Sequence, residues 1–309
     1  MASVPILDMS LLHLRASNAR KTVVDEIGRA CKTLGCFQVI NHGIGECVTK
    51  DALEVARQFF NLSEDEKMAL ASEDIMRPVR FGANSKEGTT QKRLFLKHYA
   101  NPLSEWIQLW PAAPCGYREK MGKYAVEARS IALQLMDAIM ESLGLGDTCL
   151  KDKFDKGMQV MAVNSYPQNM SSAPAVGFAP HSDFGIITLL LQSCQGLQIL
   201  DRGQTWKAAP CAAGALHVHI GDYMEVLSNG RYKSLIHRAI LRSEQKRFSI
   251  ASIHGFPMDD SVGVPEELVD EHNSKKYRDS NFRDFMNYLS SVGDSSKKRF
   301  IDQLKLQEG

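Results

Sequence analysis

The stretch "APHSDFGIITLLLQ", residues 179–192, sets His181 and Asp183 one residue apart at the head of an apolar, β-branched run. A strand alternates faces with period two, so both side chains are expected on one face, with Ser182 on the other. An imidazole and a carboxylate on one face of a greasy strand are half of a metal site. Composition alone yields roughly half an H-x-D tripeptide in a chain of this length with nine histidines. The pair therefore carries weight only if further ligands lie elsewhere.

The bulk properties are those of an ordinary globule. The 309 residues suffice for one large domain or two small ones, with 44% hydrophobic and 24% charged residues. A net charge of +1 gives no electrostatic case for nucleic acid or for an anionic membrane. The seven cysteines are scattered and contain no C-x-x-C, which reads as reduced thiols rather than a disulfide framework or zinc ribbon. The first twenty residues do not read as a secretory signal. The longest strongly apolar run, "GIITLLL", is too short to span a bilayer. The expectation is a cytoplasmic monomer that handles a small molecule.

The order of elements comes from periodicity. "VPILD" reads as a short strand, followed by a helix from about Ala19 to Leu34, with Val23, Val24, Ile27, Cys31 and Leu34 on one stripe and Gly35 at its end. "CFQVIN" is a strand. A second helix runs from about Val48 to Phe60, and "LSEDEK" opens another through a Ser63/Glu66 capping box. Residues 72–120 read as irregular, with "KRLFLKHYANP" as one strand. A long helix is expected from about Gly122 to Leu143.

After about Val160 the texture turns β-rich. "VMAVNSY", "GIITLLLQ", "LQIL", "TWKAAP", "ALHVHIGDYMEVLS", "SLIHRAIL" and "RFSIASIHGF" recur between turns, which suggests a barrel or jelly roll. "NFRDFMNYLSSV" and "SKKRFIDQLKL" return to helix. The division expected is a mainly helical region, 1–150, and a β core with C-terminal helices, 151–309, in one compact unit.

A barrel gathers distant strands around one mouth, so a third ligand should come from a later strand. His13, His42, His98 and His272 fall in helical, turn or irregular stretches that favour surface or packing roles. His217 and His219 share a face of an apolar strand, where a satisfied core histidine is the commoner role. His254 is ambiguous. His237, in "KSLIHRAIL", completes two imidazoles and one carboxylate. That set leaves coordination positions open and suits non-haem Fe(II). A structural zinc would want four ligands. An acidic co-substrate would also need a cation, and Arg247 with Ser249 on one face of the next strand offers a guanidinium fork and a hydroxyl.

Taken together, "HSDFGIITLLLQ", "GLQIL", "VHIGDYMEVLSNGRYKSLIHRA" and "RFSIASI" resemble the plant iron(II)- and 2-oxoglutarate-dependent dioxygenases. "VPILD", "GCFQVINHGI" and "FFNLSEDEKM" look like the N-terminal region of the same family. The resemblance implies an α+β fold with a double-stranded β-helix (jelly-roll, cupin-like) core flanked by N- and C-terminal helices. It makes His181, Asp183 and His237 the iron ligands. It gives Arg247 and Ser249 the far carboxylate of 2-oxoglutarate, with Tyr166 helping and Asn164 on the co-substrate side. Gly221 and Asp222 match a structural turn and strand.

The implied reaction uses Fe(II), 2-oxoglutarate and O2 to oxidise a C–H bond of a small organic molecule by hydroxylation, demethylation or desaturation. A plant specialised metabolite or hormone is the family-level substrate class. Phe95, Lys97, Tyr99 and Ile253 are candidate substrate contacts, together with Phe256, Phe282, Phe285 and Met286. The chain departs from the family pattern at "NSYPQN", at His219 (commonly Asn) and at Ile253 (often aromatic); the stretch from Met76 to Thr90 is short. His219 is expected to fill space. Two alternatives stay open at this point: a metal-dependent hydrolase on the same ligands, and a non-catalytic binding protein on the same scaffold.

Overall fold

The computed structural model describes the chain except residues 1–3, 15–16, 85–92, 147–149, 172, 174, 243, 293–298 and 308–309. Strand β1 (Ile6–Asp8) and a 3-10 turn (Met9–His13) lead to helix α1 (Asn18–Thr33). Ser17 caps α1 by accepting the Arg20 N–H at 3.1 Å. Val23, Val24, Ile27 and Cys31 are buried along it, as their spacing predicts. Gly35 stops the helix at φ +72°, and a Cβ there would lie 2.4 Å from the Lys233 carbonyl oxygen. The chain then enters β2 (Cys36–Ile40), α2 (Glu46–Phe60) and α3 (Glu64–Met68), whose Ser63/Glu66 capping box is present.

Residues 72–120 hold more structure than their composition suggests. They contain two antiparallel strands, β3 (Val79–Asn84) and β4 (Arg93–Asn101), and a single turn of helix, α4 (Leu103–Trp106). Helix α5 (Tyr117–Ser142) begins at Tyr117 rather than near Gly122. Gly116, at φ +78°, is the break before it, and Gly122 is an interior position packed near Ile107.

Beyond α6 (Leu150–Asp155) come β5 (Gln159–Tyr166), β6 (Val176–His181), β7 (Ile187–Gln192), β8 (Leu197–Leu200), β9 (Trp206–Ala208) and β10 (Leu216–Ile220). Helix α7 (Asp222–Leu227), β11 (His237–Ile240), β12 (Arg247–His254) and α8 (Phe282–Val292) follow. One sheet has eight strands in the order β1-β2-β10-β7-β12-β5-β4-β3, and the other has four, β6-β11-β8-β9. From β5 onward the chain changes sheet at nearly every connection. That alternation is the double-stranded β-helix, and the fold is α+β with helices flanking this core. The large sheet takes strands from both halves of the chain, with β1 to β4 joining β5, β7, β10 and β12.

Period-two alternation gives the large sheet two unlike faces. Met161, Val163, Ile187, Leu189 and Ile250 share one core with Tyr124, Ala128, Ile131 and Leu135 of α5. Ala162, Asn164, Thr188, Leu190, Ser249 and Ala251, at the intervening positions, line a cavity facing the small sheet. Buried polar residues occur on both faces: Asn164, Thr188 and Ser249 line the cavity, while Gln159, Ser252 and His254 bond one another on the other side.

Three expectations need correction. "GDYMEVL" is a helix, not the end of a strand; every residue of α7 is buried, so its apolar run carries no amphipathic period. Strand β6, "VGFAPH", escaped notice because it is an exposed edge strand containing proline. The last segment forms only a 3-10 turn, Phe300–Gln303, among the described residues of "SKKRFIDQLKL"; residues 296–298 of that stretch lie outside them.

Candidate active site

His181 is the last residue of β6, and Asp183 lies in the turn that follows, ahead of β7. They are therefore not two same-face residues of one strand. Pairing between strands brings the ligand candidates together: β11 runs antiparallel to β6, and His237 is the direct partner of His181. The two rings lie 4.2 Å apart. Asp183 Oδ1 is 3.8 Å from His181 Nε2 and 3.9 Å from His237 Nε2. One ligand atom from each of the three residues falls within 4.8 Å of the others, the geometry of a metal-binding group.

The backbone around the trio is tightly fixed. The Asp183 carbonyl oxygen accepts the Asp222 N–H at 2.8 Å, which ties the turn to the start of α7. Gly221 stands at that approach, where a Cβ would come 2.1 Å from the Gly185 carbonyl oxygen. Any side chain at residue 221 would push the two segments apart.

Protonation suits a metal. His181 Nδ1 donates to the Ala179 carbonyl oxygen at 2.8 Å, and His237 Nδ1 donates to the Leu235 carbonyl oxygen at 3.2 Å. Each bond leaves the Nε2 lone pair for a ligand. Burial pushes both imidazoles toward the neutral form. Burial opposes the charge on Asp183, but the facing imidazoles, His237 foremost, more than offset it and hold the carboxyl below the usual range. Neutral imidazoles with an ionised carboxylate are the form that metal binding requires.

A second polar group lines the same cavity, of about 380 Å³. Arg247 and Ser249 on β12 pair across the ladder with Tyr166 and Asn164 on β5. All four line the cavity, and Arg247 is almost wholly buried. Its Nε donates to the Cys194 carbonyl oxygen at 3.2 Å, and its Nη2 to Gln192 Oε1 at 2.8 Å. Its Nη1 has no partner among the described residues. A buried guanidinium N–H without an acceptor is costly, and a carboxylate entering the cavity would supply one.

The candidate substrate contacts divide. Phe95, Lys97, Ile253 and Phe285 line the cavity. Tyr99, Phe256, Phe282 and Met286 are not among its lining residues. Tyr99 packs on Trp106, and its carbonyl oxygen accepts the Trp110 indole N–H. Phe256 packs on Phe154 in the main core. Phe282 and Met286 belong to a cluster with Val160 and Ile253, and Phe282 backs the lining residue Phe184.

The remaining histidines sort cleanly. His217 Nε2 donates to the Pro210 carbonyl oxygen at 2.6 Å, His98 bonds the Tyr117 hydroxyl at 3.0 Å, and His254 bonds the Ser252 hydroxyl at 2.9 Å. His219 differs from them: it lines the cavity beside His181, Asp183 and His237. Arg93, Phe178, Thr188 and Tyr288 also line it and were missed. For Arg93 a signal existed, because it precedes Phe95 and Lys97 with period two.

Comparison with known proteins covers almost the whole chain. Residues 4–113 match the family model described as "non-haem dioxygenase in morphine synthesis N-terminal", and residues 157–255 match the 2OG-Fe(II) oxygenase superfamily. The chain is 46% identical over 304 residues to flavanone 3-dioxygenase 3 of Oryza sativa subsp. japonica, covering 98% of this chain and 93% of that protein. It is also 46% identical to the chloroplastic 2-oxoglutarate-dependent dioxygenase 21 of the same plant, covering 99% and 92%. Among solved structures, JOX2 in complex with 2OG, Fe and JA superposes with a TM-score of 0.84 at 26% identity, covering 99% of this chain and 90% of that one. A rice dioxygenase for auxin oxidation shares the fold, with a TM-score of 0.83 at 24% identity over 98% and 100% of the two chains.

Proposed function

From the premise that this chain belongs to the plant iron(II)- and 2-oxoglutarate-dependent dioxygenases, we propose that His181, Asp183 and His237 hold the iron and that Arg247 and Ser249 hold the far carboxylate of 2-oxoglutarate. The protein is an oxidoreductase that uses Fe(II), 2-oxoglutarate and O2 to oxidise a small molecule. The hydrolase reading falls away with that membership, and the presence of all three ligand candidates and of Arg247 in one cavity speaks against a non-catalytic scaffold. No helix among the described residues is long and apolar enough to cross a membrane.

One observation supports the residue roles above all: the Nε2, Oδ1, Nε2 trio and the unpartnered Nη1 of Arg247 line one cavity. The donor set fits a ferrous ion, with two neutral imidazoles and one carboxylate leaving positions open. When bound, the iron and keto acid supply the activation of O2 against a C–H bond. The protein's own part is positioning. Arg247 and Ser249 would anchor one end of the co-substrate, Tyr166 and Asn164 would flank it, and the cavity would exclude water.

The substrate lies against Phe95, Lys97, Ile253 and Phe285 in this reading. Aromatic and aliphatic walls with Lys97 among them suit a small plant specialised metabolite with a flat apolar body and a polar or acidic handle. The name of the flavanone-oxidising relative supports that class, while Ile253 offers no ring for stacking. The scattered thiols, none of them paired among the described residues, support a reducing compartment. We assign the cytoplasm; the chloroplastic relative makes the plastid stroma the alternative.

The test is anaerobic addition of Fe(II) and 2-oxoglutarate to the purified chain. A weak visible charge-transfer band is expected, and its loss in H237A and H181A is expected with it. A metal-loaded wild-type protein with a blank spectrum would overturn the assignment. Small molecules are then screened for coupled succinate release.

A further inference from the structure

We propose that His219 is a positioning residue that fixes the carboxylate of Asp183 in one orientation, Oδ1 toward the metal and Oδ2 toward the His219 ring. The inference rests on the reading of His181, Asp183 and His237 as iron ligands.

The carboxylate already divides its two oxygens. Oδ1 is the atom that lies 3.8 and 3.9 Å from the two ligand imidazoles. Oδ2 lies 3.7 Å from His219 Nδ1. The second separation is a little longer than a hydrogen bond, and the proposal has the carboxylate close it when the metal is bound. The ring of His219 stands 4.7 Å from that of His237, so it flanks two of the three ligands without joining the ligand group.

His219 has no competing role among the described residues. It is almost wholly buried on β10, and neither ring nitrogen has a hydrogen-bond partner there. Its neighbour His217, on the same strand face, is satisfied by the Pro210 carbonyl oxygen. Its cross-strand partner Thr188 has an unpartnered hydroxyl of its own. A histidine that merely filled space would leave two buried polar nitrogens uncompensated, a cost that an apolar residue would avoid.

The chemical consequence concerns how the carboxylate binds. A carboxylate can give a metal one oxygen or two. A donor on the outer oxygen favours one, which keeps a coordination position open for the keto acid or O2. Asn, common at this position in the family that the sequence resembles, also carries an N–H donor. The shared property is the donor, not the ring.

The experiment compares wild type, H219F and H219N under anaerobic conditions, with Mn(II) as the probe, followed by 2-oxoglutarate titration of the Mn(II)-loaded proteins. H219F keeps a planar ring without a donor and is expected to weaken Mn(II) binding by roughly 10–100-fold, the range for loss of a supporting partner. H219N is expected to recover most of that loss. The 2-oxoglutarate affinity of loaded H219F should fall as well, because the Asp183 carboxylate is then free to take the position the keto acid needs, and H219N should restore it. Thermal melting checks folding, and H219A supplies the donor-free arm should H219F fail to fold. Unchanged Mn(II) affinity in the donor-free variant overturns the proposal. So does an H219N as weak as H219F with wild-type melting. A wild type that binds no Mn(II) overturns the iron-site reading itself.

Discussion

His237 and His181 are direct cross-strand partners, the first residue of β11 against the last of β6. Two imidazoles separated by more than fifty positions in the chain are thus set by backbone hydrogen bonding, not by loop placement. Each ring is oriented by its own Nδ1–H bond to a carbonyl two residues back. Replacing His237 with Ala should leave the ladder intact and remove one ligand. Metal affinity should fall by more than the roughly 10–100-fold typical of a lost supporting partner. Succinate release should become undetectable while the circular dichroism spectrum stays unchanged. Retained iron stoichiometry in H237A would contradict the assignment.

Arg247 tests the opposite end of the cavity. R247A should weaken 2-oxoglutarate binding to the Mn(II)-loaded protein by about 1.5–3 kcal/mol, the range for a hydrogen bond to a charged group. R247K keeps the charge but loses the fork and should fall between the two. Metal affinity without co-substrate should be the same in all three. Calorimetric titration separates these effects, and an unaltered co-substrate constant in R247A would remove the residue from the anchor role.

Much of this site was legible, though partly for another reason than the geometry supplies. H-x-D was expected to work through period two on a single strand. In fact the strand ends at His181, and Asp183 returns from a turn held by the Asp222 N–H. Arg247 and Ser249 do share a strand face, as read, because β12 is a regular buried strand. The losses occurred where local signals mislead. Helix α7 is buried on all sides and shows no amphipathic stripe. Strand β6 is a proline-containing edge. Phe256 lies beyond the end of β12 and packs on Phe154, and Tyr99 keeps the period of Phe95 and Lys97 but packs on Trp106 past the cavity; neither position is visible in one sequence.

Acid should destabilise the protein before its carboxylates titrate. Burial pushes His98, His217 and His254 down to about 3 from an ordinary 6.5. Between those limits the unfolded chain binds protons that the folded chain refuses, so stability rises with pH. It is fully present above pH 6.5 and is lost as pH falls toward 3. Each group contributes a slope of up to about 1.4 kcal/mol per pH unit within that window. The urea midpoint of metal-free protein should therefore drop clearly from pH 7.5 to pH 5.5. Equal midpoints would mean that these imidazoles are not buried and neutral.

Gly221 links the fold to the proposed metal site. In G221A the new Cβ would meet the Gly185 carbonyl oxygen at 2.1 Å and the Asp183 carbonyl oxygen at 3.1 Å. Relief requires the Asp183 turn to move from α7. An overpacking cost of about 1–3 kcal/mol is expected, together with weaker metal binding. Thermal melting and Mn(II) titration read the two effects. A destabilised protein with wild-type Mn(II) affinity would show that the turn can shift without moving the ligand.

In the proposed reading, small residues make the space for substrate. Ala162 is the cross-strand neighbour of both Lys97 and Ala251, and Ala251 is in turn opposite Leu190. All four line the cavity, and the two alanines leave room between the aliphatic and cationic ends of that row. Filling this room should separate substrate oxidation from the chemistry of the co-substrate. A162L adds a branched side chain in the row beyond Asn164 and Ser249, on the side away from Arg247. Binding of Mn(II) and 2-oxoglutarate should stay close to wild type, as should the slow succinate release without substrate. Stimulation of that release by a substrate from the screen should be lost. If A162L instead abolishes 2-oxoglutarate binding, the row belongs to the co-substrate, and the substrate approaches from the α8 side, where Phe285 and Tyr288 line the cavity.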